Sequence, residues 1–292
     1  MTARHQKGSS SAHSRTWVRR FLMVLCLVAG LACLAYPLVG TFLNERSFTD
    51  AVSRYEEKVS SYSEEDRAAM LEAARAYNDS LRGDPVRDPF VANSGYAIPD
   101  AYQEILNVDG EGLMGVVSIP SINVRLPLYH GTSEDVLAHG AGHIPQTSFP
   151  IGGLGTHAVI TGHTGFPTAR LFNDLVELKE GDVFVIEVLG EKHAYCVDSI
   201  MVVEPDDLSS VQIDPEQDYV TLLTCTPYGI NSHRLLVRGV ACDLPEDTVE
   251  STNPEIPYAL ILGIAALAVV GGAVAVAHHR RKSKARSGIH GA

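Results

Sequence analysis

An aliphatic run at residues 219–225, "YVTLLTC", ends on a lone cysteine, and an arginine follows nine positions later, after the loop "TPYGINSH". A thiolate is a nucleophile, and a guanidinium can stabilise either that thiolate or the oxyanion its attack creates. Pro227 and Gly229 require a sharp turn after Cys225, which puts the thiol at the rim of a sheet. If the flanking runs pair as a hairpin, Cys225 and Arg234 face each other across its open end. The bland alternative is a structural thiol, since buried structural cysteines are commoner than reactive ones.

A thiol of ordinary pKa, about 8.5, also needs a proton partner. His130, His139, His143, His157, His163, His193 and His233 are the candidates between the two apolar ends of the chain. His163 has the best setting. In "HAVITGHTG" a short apolar strand leads into a turn flanked by Gly162 and Gly165, so His163 too stands at a strand end. His233 competes because it adjoins Arg234, but neighbouring strand residues point to opposite faces. His143 and His157 fit equally well as structural residues.

The elements that must position these groups are mostly strands. Beyond about Gly112 the chain reads as short apolar runs separated by Gly, Pro, Asp and Asn: "LMGVVSI", "VRLPLY", "HAVIT", "DVFVIEV", "KHAYCVDSIMVVE", "YVTLLTC" and "RLLVRGVAC". Short helices are expected near 134–138 and 168–178. The fold class is therefore mainly β, a closed β-barrel. Upstream, Met70, Leu71, Ala74 and Tyr77 mark one face of a helix within 48–81, and "GDPVRDPF" then breaks helix with two Asp-Pro pairs.

Two uncharged runs, 23 residues at 21–43 and 22 residues at 256–277, are each long enough to cross a hydrocarbon layer about 30 Å thick. Only basic residues flank them on their outer sides, Arg4, Lys7, Arg15, Arg19 and Arg20 before and Arg280, Arg281, Lys282, Lys284 and Arg286 after. That asymmetry places both tails in the cytoplasm and 44–255 outside the cell membrane. A cleaved signal peptide is the rival reading of the first run. "LPEDT" at 244–248 imitates a wall-sorting signal but lacks Gly after its Thr, so the second run reads as a plain anchor. The expected organisation is a basic tail (1–20), a transmembrane helix or uncleaved signal anchor (21–43), a helical region (44–82), a loop (83–95) and a β-barrel domain (96–245). A linker (246–255), a second transmembrane helix (256–277) and a basic tail (278–292) complete it.

The middle segment holds all 35 acidic residues against 13 basic ones, a formal charge of −22. Phosphates would be repelled, which excludes nucleic acid as a partner. The five cysteines include no C-x-x-C, so neither a zinc ribbon nor a thioredoxin-like site is supported. Cys26 and Cys33 serve as small apolar residues in the first run. Cys196, Cys225 and Cys242 form an odd set, so at least one is not paired within the chain.

"TLLTCTPYGINSHRLLVRG" resembles the catalytic signature of sortases, and "VITGHTGFPTARLFNDLVELKEGD" resembles their histidine segment. The Tyr-Gly-Ile-Asn between Cys and Arg, the two apolar spans and the upstream Asp-Pro-Phe are similar to class C, the pilus-assembling sortases. The likeness covers most of 45–245. It implies an eight-stranded sortase-type barrel and a catalytic set of His163, Cys225 and Arg234, with no metal and no cofactor. It further implies cleavage of an LPxTG-type signal between Thr and Gly, an acyl-thioester on Cys225, and transfer to a Lys amine of another pilin. The partners are then pilin subunits and the cell membrane, and the loop "RDPF" becomes a lid in which Asp88 pairs with Arg234, Phe90 covers Cys225 and Pro89 stiffens the turn. The chain departs from the family pattern by adding Cys196 and Cys242, expected to pair with each other or to lie buried. A wall-anchoring housekeeping sortase, a Cys-dependent surface hydrolase and a non-enzymatic surface protein are the competing readings.

Overall fold

A computed structural model describes residues 10–81, 101–166, 168–205, 207, 209–244, 263 and 271. The chain forms two compact units, Met1–Pro254 and Glu255–Ala292. In the second only Gly263 and Gly271 are described, both helical. The lid residues Asp88, Pro89 and Phe90 and most of the expected span 256–277 lie outside the described residues.

Two helices lead into the β-rich part. Helix α1 (Ser10–Ser60) buries Phe48, Val52, Tyr55 and Val59, a four–three–four spacing that lays one stripe against the barrel. The Tyr55 hydroxyl donates to the Met114 carbonyl (3.2 Å) and accepts from the Leu189 amide (2.7 Å), pinning the helix to the sheet. The chain breaks at Ser61–Ser63 because Ser63 caps α2 (Glu64–Ser80) in a reciprocal capping box with Asp66. Leu71, Ala74, Tyr77 and Asn78 form the buried face of α2. There Asn78 bonds both the amide and the carbonyl of Phe149 (2.7 and 3.1 Å).

Eight strands among the described residues close into a barrel: β1 (Leu113–Ile119), β2 (Val124–His130), β3 (Ala141–His143), β4 (Thr156–Thr161), β5 (Val183–Val188), β6 (Glu191–Val203), β7 (Asp218–Thr226) and β8 (His233–Cys242). Their order around the barrel is β1-β2-β3-β4-β7-β8-β6-β5. Pairing is antiparallel except for β2–β3 and β4–β7, which are parallel. A short helix α3 (Glu134–His139), N-capped by Ser133, leads into β3. Strand alternation sorts the side chains. Phe184, Ile186, Tyr195, Val220, Leu222, Leu235 and Val237 join the main core, while Val159, Leu223 and Leu236 sit with Ile144 and Val211 in a smaller cluster on the opposite face of the sheet.

The structure corrects one expectation and lends no support to a second. The helix expected over 168–178 is only a 3-10 turn at Asn173–Glu177, because the Asn173 side chain is turned back to bond Gly165 and Thr164 and Leu171 adopts a positive φ. The run 21–43 is helical, but as part of α1, and among the described residues no helix is long and apolar enough to cross a membrane. Its last turn meets protein, with Gly40 against Thr168 and, just beyond, Asn44 bonded to the same residue. Among the described residues nothing supports a two-pass topology, and most of 256–277 lies outside them.

Candidate active site

Strands β4 and β7 run side by side in the same direction, with Thr161 opposite Leu223 at the end of the ladder. Two further bonds carry the alignment onward: the Gly162 amide donates to the Leu223 carbonyl (3.1 Å), and the Thr224 hydroxyl donates to the Gly162 carbonyl (2.7 Å). Continuing the register by two residues sets His163 beside Cys225. On the other side β7 pairs with β8, and Cys225 is the direct partner of Arg234. Three neighbouring strands thus bring His163, Cys225 and Arg234 to one end of the sheet, in that order.

Alternation also decides the face. Cys225 shares its face with Leu223, and Arg234 shares its face with Leu236, so both belong to the side carrying the smaller cluster. The pair therefore projects outward from the barrel wall. Cys225 is half-buried, whereas Arg234 is only 5% exposed. The Arg234 guanidinium reaches the carbonyls of Asn231 (3.4 Å) and His233 (3.3 Å), which ties it to the β7–β8 loop. In that loop the Pro227 carbonyl accepts from both Ile230 (3.0 Å) and Asn231 (2.9 Å). Gly229 and Asn231 take positive φ, as a turn this tight requires.

His163 is half-buried in the loop after β4. Its carbonyl accepts from the Phe172 amide (3.1 Å), and its ring stacks on Phe166 at 5.8 Å between centroids. Gly162 has no side chain because the Phe172 ring occupies that space, 2.8 Å from where a Cβ would be. Burial pushes the His163 imidazole below its ordinary pKa, and the carboxylate of Glu134 in the first turn of α3 acts against this. The loops beyond the two strand ends approach each other at Gly165 and Gly229, where a Cβ on the former would lie 3.7 Å from the latter's nitrogen.

The other histidines have different roles. His143 lies between the Tyr102 hydroxyl (2.9 Å) and the Ser148 carbonyl (2.8 Å), and burial lowers its pKa to about 3. His157 bridges the Gln212 carbonyl (2.9 Å) and the Thr221 hydroxyl (2.8 Å), and burial lowers it to about 4. His130 spans the carbonyls of Gly112 and Ile105 (2.8 and 2.6 Å). His233 contacts Glu204 (3.3 Å) and Ser232 (2.8 Å). Cys196 and Cys242 are joined to each other in a disulfide between β6 and β8.

Residue-type reasoning passes over the polar side chains that hold this arrangement. Thr224 locks the β4–β7 alignment, and Asn173 accepts from the Gly165 amide (2.7 Å) and the Thr164 hydroxyl (3.3 Å). Each bonds a residue within two positions of His163, a relation visible only once the chain is folded.

Known proteins share this chain's pattern. A family model described as the sortase domain matches residues 117–241. Sortase A of Bacillus anthracis is 32% identical over 152 residues, 51% of this chain and 70% of that protein. The chain belongs to the sortase family. Sortases are cysteine transpeptidases, and so is this enzyme. Among solved structures, sortase C1 of GBS pilus island 1 is similar with a TM-score of 0.63 and 43% identity, covering 70% of this chain and 96% of that one. Sortase C-1 of Actinomyces oris is 44% identical at a TM-score of 0.57, covering 61% of this chain and 99% of that one.

Proposed function

We propose that this sortase polymerises pilins, with Cys225 as nucleophile, His163 as acid and base, and Arg234 as the oxyanion's partner. The observation that carries the reading is the direct cross-strand pair of Cys225 and Arg234, beside a β4–β7 ladder whose register, continued two residues past Thr161 and Leu223, leads to His163. The likeness to a sortase C1 of a pilus island supports the choice of substrate.

The Cys225 thiolate adds to the carbonyl between Thr and Gly of an LPxTG-type signal, and the developing oxyanion faces the guanidinium of Arg234. The C–N bond breaks as His163 passes its proton to the departing Gly amine, leaving an acyl-thioester on Cys225. Burial, which disfavours the imidazolium, makes it the readier donor. A Lys amine of the next pilin then attacks the thioester, His163 takes up its proton, and the thiolate leaves as an isopeptide bond forms. The disulfide fits an oxidising, extracytoplasmic setting. By resemblance, Asp88, Pro89 and Phe90 form a lid over this site. On that view Asp88→Ala with Phe90→Ala speeds alkylation of Cys225, and unchanged alkylation rates dismiss the lid.

The deciding experiment incubates the purified chain with an LPxTG peptide and a pilin bearing an acceptor Lys, and looks for the isopeptide product by mass spectrometry. Cys225→Ala, His163→Ala and Arg234→Ala should each abolish it or reduce it by two orders of magnitude or more, on the order expected for a lost nucleophile, base or oxyanion donor. Release of free acid alone would make the protein a hydrolase, and full activity of Cys225→Ala would overturn the mechanism.

A further inference from the structure

His163 lies beyond the end of β4, in a loop that the sheet holds along its near limb. The bonds from Gly162 to Leu223 and from Thr224 to Gly162 secure its near limb. Asn173 secures its middle at Thr164 and Gly165. The far limb, around Thr168, is met instead by α1, from 124 residues earlier in the chain. The Asn44 side-chain amide donates to the Thr168 carbonyl at 2.8 Å and lies 3.3 Å from the Thr168 hydroxyl. One turn before it, Gly40 presents bare backbone to the same residue, and a Cβ there would come within 2.6 Å of the Thr168 methyl carbon. One turn of α1 is therefore shaped as a seat for Thr168, with a gap at Gly40 and an amide at Asn44.

Charge on α1 is also felt from the loop. Burial raises the pKa of the Glu45 carboxyl, and the guanidinium of Arg170, two residues beyond Thr168, opposes that rise. The helix thus meets the loop at Gly40 and Asn44. Further along, its stripe of Phe48, Val52 and Tyr55 anchors it to the barrel.

We propose that Asn44 is a positioning residue for His163: by gripping the Thr168 carbonyl, α1 braces the outer limb of the loop and so holds the imidazole beside Cys225. The proposal rests on the reading of His163 as the acid and base. A main-chain carbonyl is a demanding target for such a brace. It needs a donor of fixed reach, which Asn supplies and which Ala and the isosteric carboxylate of Asp do not. A shift of a catalytic group by about 1 Å lowers turnover by up to roughly a hundredfold, so a partly relaxed loop should lose about tenfold or more.

The test uses the full chain and the amine-transfer assay. In Asn44→Ala kcat should fall at least about tenfold while the KM for the sorting peptide holds, and the pH profile limb set by His163 should move. Asn44→Asp, of the same volume, should show the same loss and serves in its place should the alanine variant not fold. Val59→Ala removes packing from the same helix fifteen residues further along, away from the loop, and should lower the thermal midpoint with kcat retained. If Asn44→Ala and Asn44→Asp turn over within twofold of wild type with an unmoved pH profile while His163→Ala is inactive, the inference is wrong. It is equally wrong if Val59→Ala lowers kcat as much as Asn44→Ala does. An active His163→Ala removes the reading of the site instead.

Discussion

Replacing both Cys196 and Cys242 by alanine removes a bond between residues 46 apart in sequence, on strands that are already paired along most of their length. Closing a loop of that size in the unfolded chain lowers its entropy by about 13 cal/mol/K, which at 25 °C corresponds to about 4 kcal/mol of stability. The lost thiols leave little void because β6 and β8 keep their ladder, so this figure should dominate the effect. Function should be spared. Cys242 closes β8 whereas Arg234 stands near its start, eight residues and about 27 Å away along the strand. The assay is guanidinium unfolding of the purified wild type, the double variant and the wild type under reductant, alongside acyl transfer at 25 °C. The two disulfide-free samples should coincide, and lie below the oxidised wild type by about 4 kcal/mol extrapolated to water. A difference under about 1 kcal/mol would refute the loop-closure argument. Loss of transfer in a folded double variant would refute the separation of this bond from the site.

Two further outcomes follow from the buried histidines and from Gly162. His143 and His157 have folded pKa values of about 3 and about 4, below the unfolded value of about 6.5, so protons bind preferentially to the unfolded chain. Their contribution is complete above pH 6.5 and is lost as the pH falls, about 2 kcal/mol each between pH 7 and 5. Denaturant unfolding across that range should show it, His157→Gln should flatten the slope by about half, and a level profile in the wild type would contradict the assignment of buried, neutral rings. Gly162→Ala drives a Cβ to 2.8 Å from the Phe172 ring, whose own amide holds the His163 carbonyl. About 1–3 kcal/mol of stability and most of the turnover should go with it, and a variant as stable and active as wild type would show that the ring yields freely.

The strands were legible as short apolar runs bounded by turn residues, and β1, buried along nearly its whole length, coincides with its run "LMGVVSI" from first residue to last. Strand β3 was not legible. It is three residues long, contains Gly142, and exists because its neighbours β2 and β4 hold it in register. The division between α1 and α2 was written in Ser63 and Asp66, but an otherwise helical pattern on both sides concealed it. Cys225 opposite Arg234 could be foreseen from a hairpin spacing. The neighbourhood of His163 and Cys225 could not be foreseen from residue types, since it depends on a parallel pairing of strands 62 positions apart, between which β5 and β6 intervene. The brace at Asn44 was hidden for the same reason, being a contact between segments with no shared local pattern.

The parallel pairing of β4 with β7 also acts as a ruler. A slip of one residue along that ladder would displace the imidazole from the sulfur by about 3.3 Å and turn the side chains of one strand to the wrong face. The hydroxyls of Thr161 and Thr224 each cross to the opposite strand's backbone at the last rung, at Leu223 (3.2 Å) and Gly162 (2.7 Å), so the graduation is fixed at the end where it is read. Segments inserted between these strands can vary in length and course while the spacing between base and nucleophile stays the same.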